Sequence, residues 1–191
     1  MKNFLGVQGQ AAAPFELFVA VIIMAFVVVV GYSMLTYINR EICLNSVDKE
    51  MTEFKLNLED TVNRKSSTKF FFQPDSACFY SKQTKMNIQL LKEPMTCAAR
   101  CSFSSNECYV MTFHNPNVPN AFRQKCLDLP ELTQFIGQTG SFCSDDSELG
   151  SQGYNVIDPT LEGIFTGAYI LKNATPLGEA YTKVCVWHKE V

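Results

Sequence analysis

The sequence lacks the features by which a chain of this size usually reveals an enzyme or a nucleic-acid-binding protein. It has two histidines, one tryptophan and a net charge of −3, with acidic and basic residues mixed along its length. The absence of a basic stripe argues against nucleic acid as a partner. G-x-S-x-G, Walker, H-E-x-x-H and G-x-G-x-x-G patterns are also absent. We therefore predict that the protein is not an enzyme and needs no cofactor.

The residues that could still bind a metal or transfer a proton do not form a recognised pattern. His114 and His188 lie in different segments and are better read as surface or capping residues than as a catalytic base. Cys97, Cys101 and Cys108 have one zinc-like spacing, but neither a second close pair nor a pair of histidines completes it. The acidic stretch 145–148 lacks the EF-hand spacing for calcium. No metal site is predicted.

Long apolar sequence is nearly confined to residues 15–37, and the one charge inside this run is Glu16. At about 1.5 Å per residue, a helix of this length spans roughly 35 Å, which is enough to cross a bilayer. The run is longer than the apolar part of a secretory signal, only Lys2 precedes it as a base, and no small-residue cleavage site follows it. We predict a retained membrane helix in contact with lipid. Because an ionisable group inside such a helix is costly, Glu16 is a candidate functional residue.

The helical pattern continues beyond the apolar run. Apolar residues recur there at steps of three and four, which places them on one face of an amphipathic helix. These residues are Cys43, Val47, Met51, Phe54, Leu58 and Val62. No proline or glycine interrupts the chain between Gly31 and Lys65. We therefore predict one continuous helix of about 50 residues, whose apolar stripe packs on the chain's own sheet or on a neighbouring helix.

The rest of the chain has the pattern of short strands joined by turns, which predicts an α+β fold with an antiparallel β-sheet head. The predicted strands include Lys69–Phe72, Cys78–Tyr80, Met86–Leu91, Cys108–Phe113, Ile164–Leu171 and Tyr181–Trp187. A short helix is predicted at Leu129–Ile136 and a surface loop at Ser141–Gly153. The predicted domains are a leader (1–13), a transmembrane helix (14–38), its amphipathic extension (39–65) and a head (66–191).

All eight cysteines follow the apolar run, and their even number and scattered spacing favour disulfide bonds in an oxidising compartment. They are Cys43, Cys78, Cys97, Cys101, Cys108, Cys126, Cys143 and Cys185. The head is accordingly predicted to lie outside the cell, although the bases flanking the span weakly favour the opposite orientation. Asn173 begins an N-x-T glycosylation sequon that would suit an external surface, with Pro176 directly after it. The spacing leaves the disulfide pairing open.

The N-terminal half of the chain resembles a type IV pilin. Gly9 and Gln10 are followed by small residues, Glu16 opens an uncharged run, and a long helix leads to a cysteine-bearing β-rich head. The leader is most similar to archaeal class III signal peptides, in which a Gly-Gln junction precedes a small residue, here Ala12, and a glutamate. Two features differ from the pattern. Glu16 would be residue seven of a chain cut after Gly9, where pilins usually have it at five, and no Lys or Arg adjoins the junction.

The resemblance implies that a prepilin peptidase cuts between Gly9 and Gln10, and that Glu16 then docks the subunit against the N-terminal amine of a neighbour. On this reading the protein is a structural or adhesive subunit of a surface filament. The alternative is a monomeric, single-pass membrane-tethered binding module that never polymerises. A membrane-anchored thiol enzyme is a third possibility, but no cysteine stands out in the sequence as reactive.

Overall fold

The structure, a computed structural model, is built around one long helix and two small β-sheets. It describes residues 12–75, 84–102, 105–115, 122–137, 143 and 147–190, with side chains from residue 15 onward. The chain divides into two compact units, Met1–Glu41 and Ile42–Val191. This arrangement confirms the predicted α+β class with a long apolar N-terminal helix. The bounds of the four predicted domains stay predictions.

The helices and strands follow one another along the chain as α1 (Ala12–Arg64), β1 (Ser67–Phe72), β2 (Met86–Leu91), α2 (Pro94–Cys101), β3 (Cys108–His114), β4 (Phe122–Leu127), β5 (Gln134–Ile136), α3 (Ser147–Ser151), β6 (Asn155–Ile157), β7 (Gly167–Asn173) and β8 (Lys183–Lys189). The predicted strand at Cys78–Tyr80 lies outside the described residues.

The second part of α1 buries the apolar stripe that the periodicity predicted. All six predicted residues, from Cys43 to Val62, are at most 4% exposed, and they form one core with residues of both sheets. Phe54 lies near the middle of the stripe, with its ring 5.3 Å from that of Phe70 and 6.2 Å from that of Tyr169, both in edge-on contact. Of the two coverings considered, the chain's own sheets are the one observed.

The end of α1 is tied directly to the first sheet. Lys65 has a φ of 51°, in the left-handed region that commonly ends helices, and the amide of Ser66 donates to the Thr61 carbonyl at 3.2 Å. The side-chain amide of Asn173 donates to the Val62 carbonyl at 3.0 Å. These bonds satisfy carbonyl groups that the helix end would otherwise leave without a partner.

The first sheet has the strand order β1-β7-β8-β5. The edge of β8 that faces away from β7 pairs with β5 over its first half and with β6 over its second half. Its pairs are antiparallel except β5–β8, which is parallel. The helix predicted at Leu129–Ile136 is therefore wrong. Phe135 and Ile136 pack on opposite faces, as in a strand, and the amide of Gln134 donates to the Thr182 carbonyl at 2.8 Å.

The second sheet is an antiparallel meander of β2, β3 and β4. Its first residue, Met86, exchanges two backbone hydrogen bonds with Ile164, at 2.9 and 2.7 Å, next to the first sheet's β7. Gly163, just before this contact, has a φ of 87°, and a Cβ there would lie 3.0 Å from the Met86 carbonyl oxygen. A glycine is thus needed where the two sheets meet.

Both sheets also bury part of their outer faces. On β3, Tyr109, Met111 and Phe113 face the main core, whereas Cys108 and Val110 join a second cluster with Cys97 of α2. On β8, Val184 and Val186 face the core, whereas Cys185 and Trp187 pack outward against a segment that includes Cys143 and α3. The segment predicted as a surface loop thus contains a short helix and covers this sheet.

The central position of Phe54 generates a testable prediction. We expect Phe54→Ala to lower the free energy of unfolding by about 3–5 kcal/mol, because it removes a fully buried ring and leaves a cavity. Phe71→Ala is a matched control, since that ring is 63% exposed and its loss is expected to cost about 0.5 kcal/mol or less. Urea unfolding of the full chain in detergent measures both. Equal losses for the two variants would contradict the proposed packing.

Candidate functional site

The first part of α1 presents an uninterrupted apolar surface. Every side chain from Phe15 to Tyr37 is exposed, and the large apolar ones range from 37% exposure at Val19 to 74% at Met24. Within the described chain, this is the one helix long and apolar enough to cross a membrane. Water does not tolerate so large an apolar surface, so the surface is compatible with a single-pass membrane anchor or with packing against other apolar helices.

Two polar side chains of this segment, those of Ser33 and Thr36, bond within the helix itself. Ser33 donates to the Val29 carbonyl at 2.9 Å, and Thr36 donates to the Ser33 and Tyr32 carbonyls at 2.8 and 3.2 Å. Their hydroxyl groups need no partner outside the helix, so they are compatible with lipid. Glu16, whose side chain carries an ionisable carboxyl group, is not among the residues that make such a local bond.

Glu16 is exposed near the start of the helix. The helical repeat of about 100° per residue places Ala20 and Gly31 within about 60° of it, on the same side. The backbone at Gly31 is open, with nothing within 4 Å of where a Cβ would lie. Small residues on one helix face let a second helix approach closely. The face that carries the carboxylate thus includes two small residues, Ala20 and Gly31.

Within the described part of the first compact unit, no basic side chain lies close enough to neutralise Glu16. Among the described residues of this unit the basic side chain is Arg40, which lies about 36 Å further along the helix at 1.5 Å per residue. Arg40 is itself paired with Glu41 at 3.3 Å. A carboxylate in apolar surroundings therefore needs either a proton or a cation from another molecule.

The other end of the apolar run has the composition of a membrane–water interface. Tyr32 and Tyr37 are exposed there, and the Arg40 guanidinium lies 5.5 Å from the centre of the Tyr37 ring. Tyrosine and arginine are favoured at this depth, where an apolar body meets water and headgroups. The apolar run is thus bounded by one lone carboxylate at its start and by an aromatic and charged group at its end.

The candidate processing residues, Gly9 and Gln10, lie outside the described residues, and their role stays a prediction. Asn173 is described. Its Nδ2 atom, to which a glycan would attach, donates to the Val62 carbonyl, and its Oδ1 accepts the Thr175 amide at 3.0 Å. Asn173 thus serves to fasten β7 to the end of α1, and its glycosylation also stays a prediction.

Among the described residues, three disulfide bonds have both of their cysteines placed: Cys97–Cys108, Cys101–Cys126 and Cys143–Cys185. Cys43 is disulfide-bonded as well, and Cys78 lies outside the described residues. Cys97 and Cys101, the two cysteines of the C-x3-C pattern, both lie on α2, and each belongs to a different disulfide. Four residues make about one helical turn, and a proline at the start of the helix is a further signal that could have predicted α2.

One buried polar group, the Tyr109 hydroxyl, was not predicted from the sequence. The Tyr109 hydroxyl donates to the Thr133 carbonyl from a buried position, and burial, reinforced by Glu107 and Asp158, raises the pKa of Tyr109 to about 12. The bond joins β3 to the residue before β5. It is a structural contact between the two sheets, and a single tyrosine within an apolar strand carries no sequence signal for it.

The described disulfides generate the second prediction. Proteolysis of the non-reduced protein followed by mass spectrometry is expected to give cross-linked peptides for Cys97–Cys108, Cys101–Cys126 and Cys143–Cys185. Free thiols with bound zinc, or peptides joined in other combinations, would contradict the structure. Iodoacetamide labelling before proteolysis serves as the control for thiols that exchange during handling.

Comparison with known proteins adds no relative to these observations: no protein-family model, curated protein or solved structure matches the chain.

Proposed function

We propose that this protein is a structural or adhesive subunit of a type IV pilus-like surface filament, which assembles through its N-terminal helix. The observation that carries the proposal is the exposed apolar surface of Phe15–Tyr37 with a single carboxylate, Glu16, at its leading edge. A lipid anchor needs the apolar surface but gains nothing from the carboxylate. Assembly of like helices gives a role to both.

The proposed docking rests on the cost of an unpaired charge in apolar surroundings. In a bundle of such helices, Glu16 needs a cation, and the free amine of a processed neighbour beginning at Gln10 would supply one. Ala20 and Gly31, on the same side of the helix, allow the neighbour to approach. The apolar surfaces of the helices then replace lipid with one another, so the anchor and the assembly surface are the same residues.

The head suits display outside the cell. Disulfide bonds persist in oxidising compartments, and here they hold the covering segments of both sheets. We propose that the head is the exposed part of the filament and that prepilin peptidase is the partner that processes the leader. No enzymatic activity is part of the proposal.

The second candidate function, a monomeric membrane-tethered binding module, is favoured by one observation. Tyr37 and Arg40 are placed like interface anchors at the end of the apolar run, and a tether would need them as much as a filament subunit would. A tether assigns no partner to Glu16. The two functions therefore differ in what they predict for that residue and for the N-terminus.

Replacement of Glu16 tests the filament. We expect Glu16→Leu to insert into the membrane normally and to lower the association of subunits about hundredfold or more, because one partner of a buried ion pair is lost. Carbonate extraction measures insertion, and sedimentation in detergent together with electron microscopy of surface filaments measures assembly. Thr36→Val is the matched control, since it removes a polar group that bonds only within the helix. Normal filaments from Glu16→Leu would rule out the proposed docking.

The mature N-terminus separates the two functions directly. Edman degradation or mass spectrometry of protein isolated from its native membrane is expected to find Gln10 as the first residue. A chain that begins at Met1 would have no free amine beside the apolar run, which would support the tether. A Gly9→Leu variant controls for cleavage by other proteases, because a prepilin peptidase should leave it uncut.

A further inference from the structure

A surface cavity of about 750 Å³ lies beside the second part of α1, and one of the disulfides forms part of its wall. The helix contributes Thr52, Lys55 and Leu56, and the opposite wall includes Cys101 and Cys126. The volume is within the range of pockets that hold small molecules. All of the lining residues belong to the second compact unit and none to the proposed assembly surface, so the chemistry of the cavity is independent of the proposed function.

The Cys101–Cys126 bond differs from the other two described disulfides in its surroundings. Cys97, Cys108, Cys143 and Cys185 are at most 3% exposed, inside the two outer clusters. Cys101 and Cys126 are only partly buried and line the cavity. Exposed disulfides are the ones that exchange with thiols, because the attacking thiolate must reach a sulfur atom.

The covering helix α2 does not depend on the exposed bond alone. Cys97 and Cys101 are both on α2, and the buried bond from Cys97 to Cys108 already ties the helix to the second sheet. If the exposed bond opens, the buried one still holds α2 in place. The exposed bond can therefore react without loss of the covering helix.

We infer that the Cys101–Cys126 disulfide is a thiol-exchange site that accepts small-molecule thiols through this cavity. A small thiolate attacks one of the two sulfur atoms, the bond between them breaks, and the other sulfur leaves as a thiolate with the bonding electron pair. A new disulfide then joins the small molecule to the attacked cysteine. A second small thiolate reduces this mixed disulfide and releases the small molecule as its own disulfide.

The Cys101–Cys126 disulfide differs from the other two described disulfides in how easily a small thiol can reach it, and not in the charge around it. The two ammonium groups on the cavity wall are both paired: Lys55 with Glu59 at 3.6 Å and Lys125 with Asp48 at 2.9 Å. Asp128 adds a negative charge to the same wall. These charges largely cancel, so the site is expected to accept small thiols by size.

Timed reduction of the folded full chain in detergent tests the inference. The probe is glutathione at graded concentrations, followed by iodoacetamide trapping and peptide mass mapping. We expect Cys101 and Cys126 to be labelled about tenfold faster or more than the buried pairs Cys97–Cys108 and Cys143–Cys185, with a glutathione adduct on one of them. Equal rates for the three pairs, or faster opening of a buried pair, would overturn the inference.

A pair of variants tests whether the thiol enters through the cavity. Thr52→Trp fills the cavity from the helix side and should slow the labelling of Cys101 and Cys126 about threefold or more. Asn57→Trp is the matched control, because Thr52 and Asn57 both bond the carbonyl four residues earlier on α1, whereas Asn57 does not line the cavity. Equal rates in the two variants would refute entry through the cavity. If Thr52→Trp does not fold, the order of labelling in the unaltered chain still decides the inference.

Discussion

The structure of the head depends on the burial of one helical stripe. Between Cys43 and Val62, α1 offers apolar side chains on one face only, and residues of both sheets close over them. A helix with such a face cannot leave it in water, and two sheets of short strands have no common core without it. The edge-on contacts of Phe54 with Phe70 and Tyr169 show how the helix joins two strands of the first sheet.

The outer faces of the sheets also carry apolar side chains that need to be covered. Strands β3 and β8 alternate between the main core and an outer cluster, so both of their faces are apolar and need cover. In each case the cover is a short segment, which includes α2 on β3 and Cys143 and α3 on β8. A disulfide fixes each one, Cys97–Cys108 for α2 and Cys143–Cys185 for the segment leading to α3.

The features that could be predicted from the sequence are the local ones. The stripe of α1 was predictable because a 3.6-residue period is written into consecutive residues, and the charge of Glu16 was visible against an apolar run. Pairing was not predictable: which cysteines bond, that β5 joins β8 in parallel, and that two sheets form instead of one are all non-local. The helix wrongly predicted at Leu129–Ile136 shows the limit, since a short apolar run suits a helix or a strand until its neighbours are known.

The central claim is that the carboxylate of Glu16 docks one subunit against the amine of the next. Zero-length cross-linking with a carbodiimide tests it most directly, because the reagent joins a carboxylate to an amine only where the two are in contact. In assembled protein, the account predicts an intermolecular peptide that links Glu16 to the N-terminal amine of a neighbouring chain, and predicts that this peptide is missing from the dispersed monomer. Assembled protein in which Glu16 forms no link to a second chain would contradict the account.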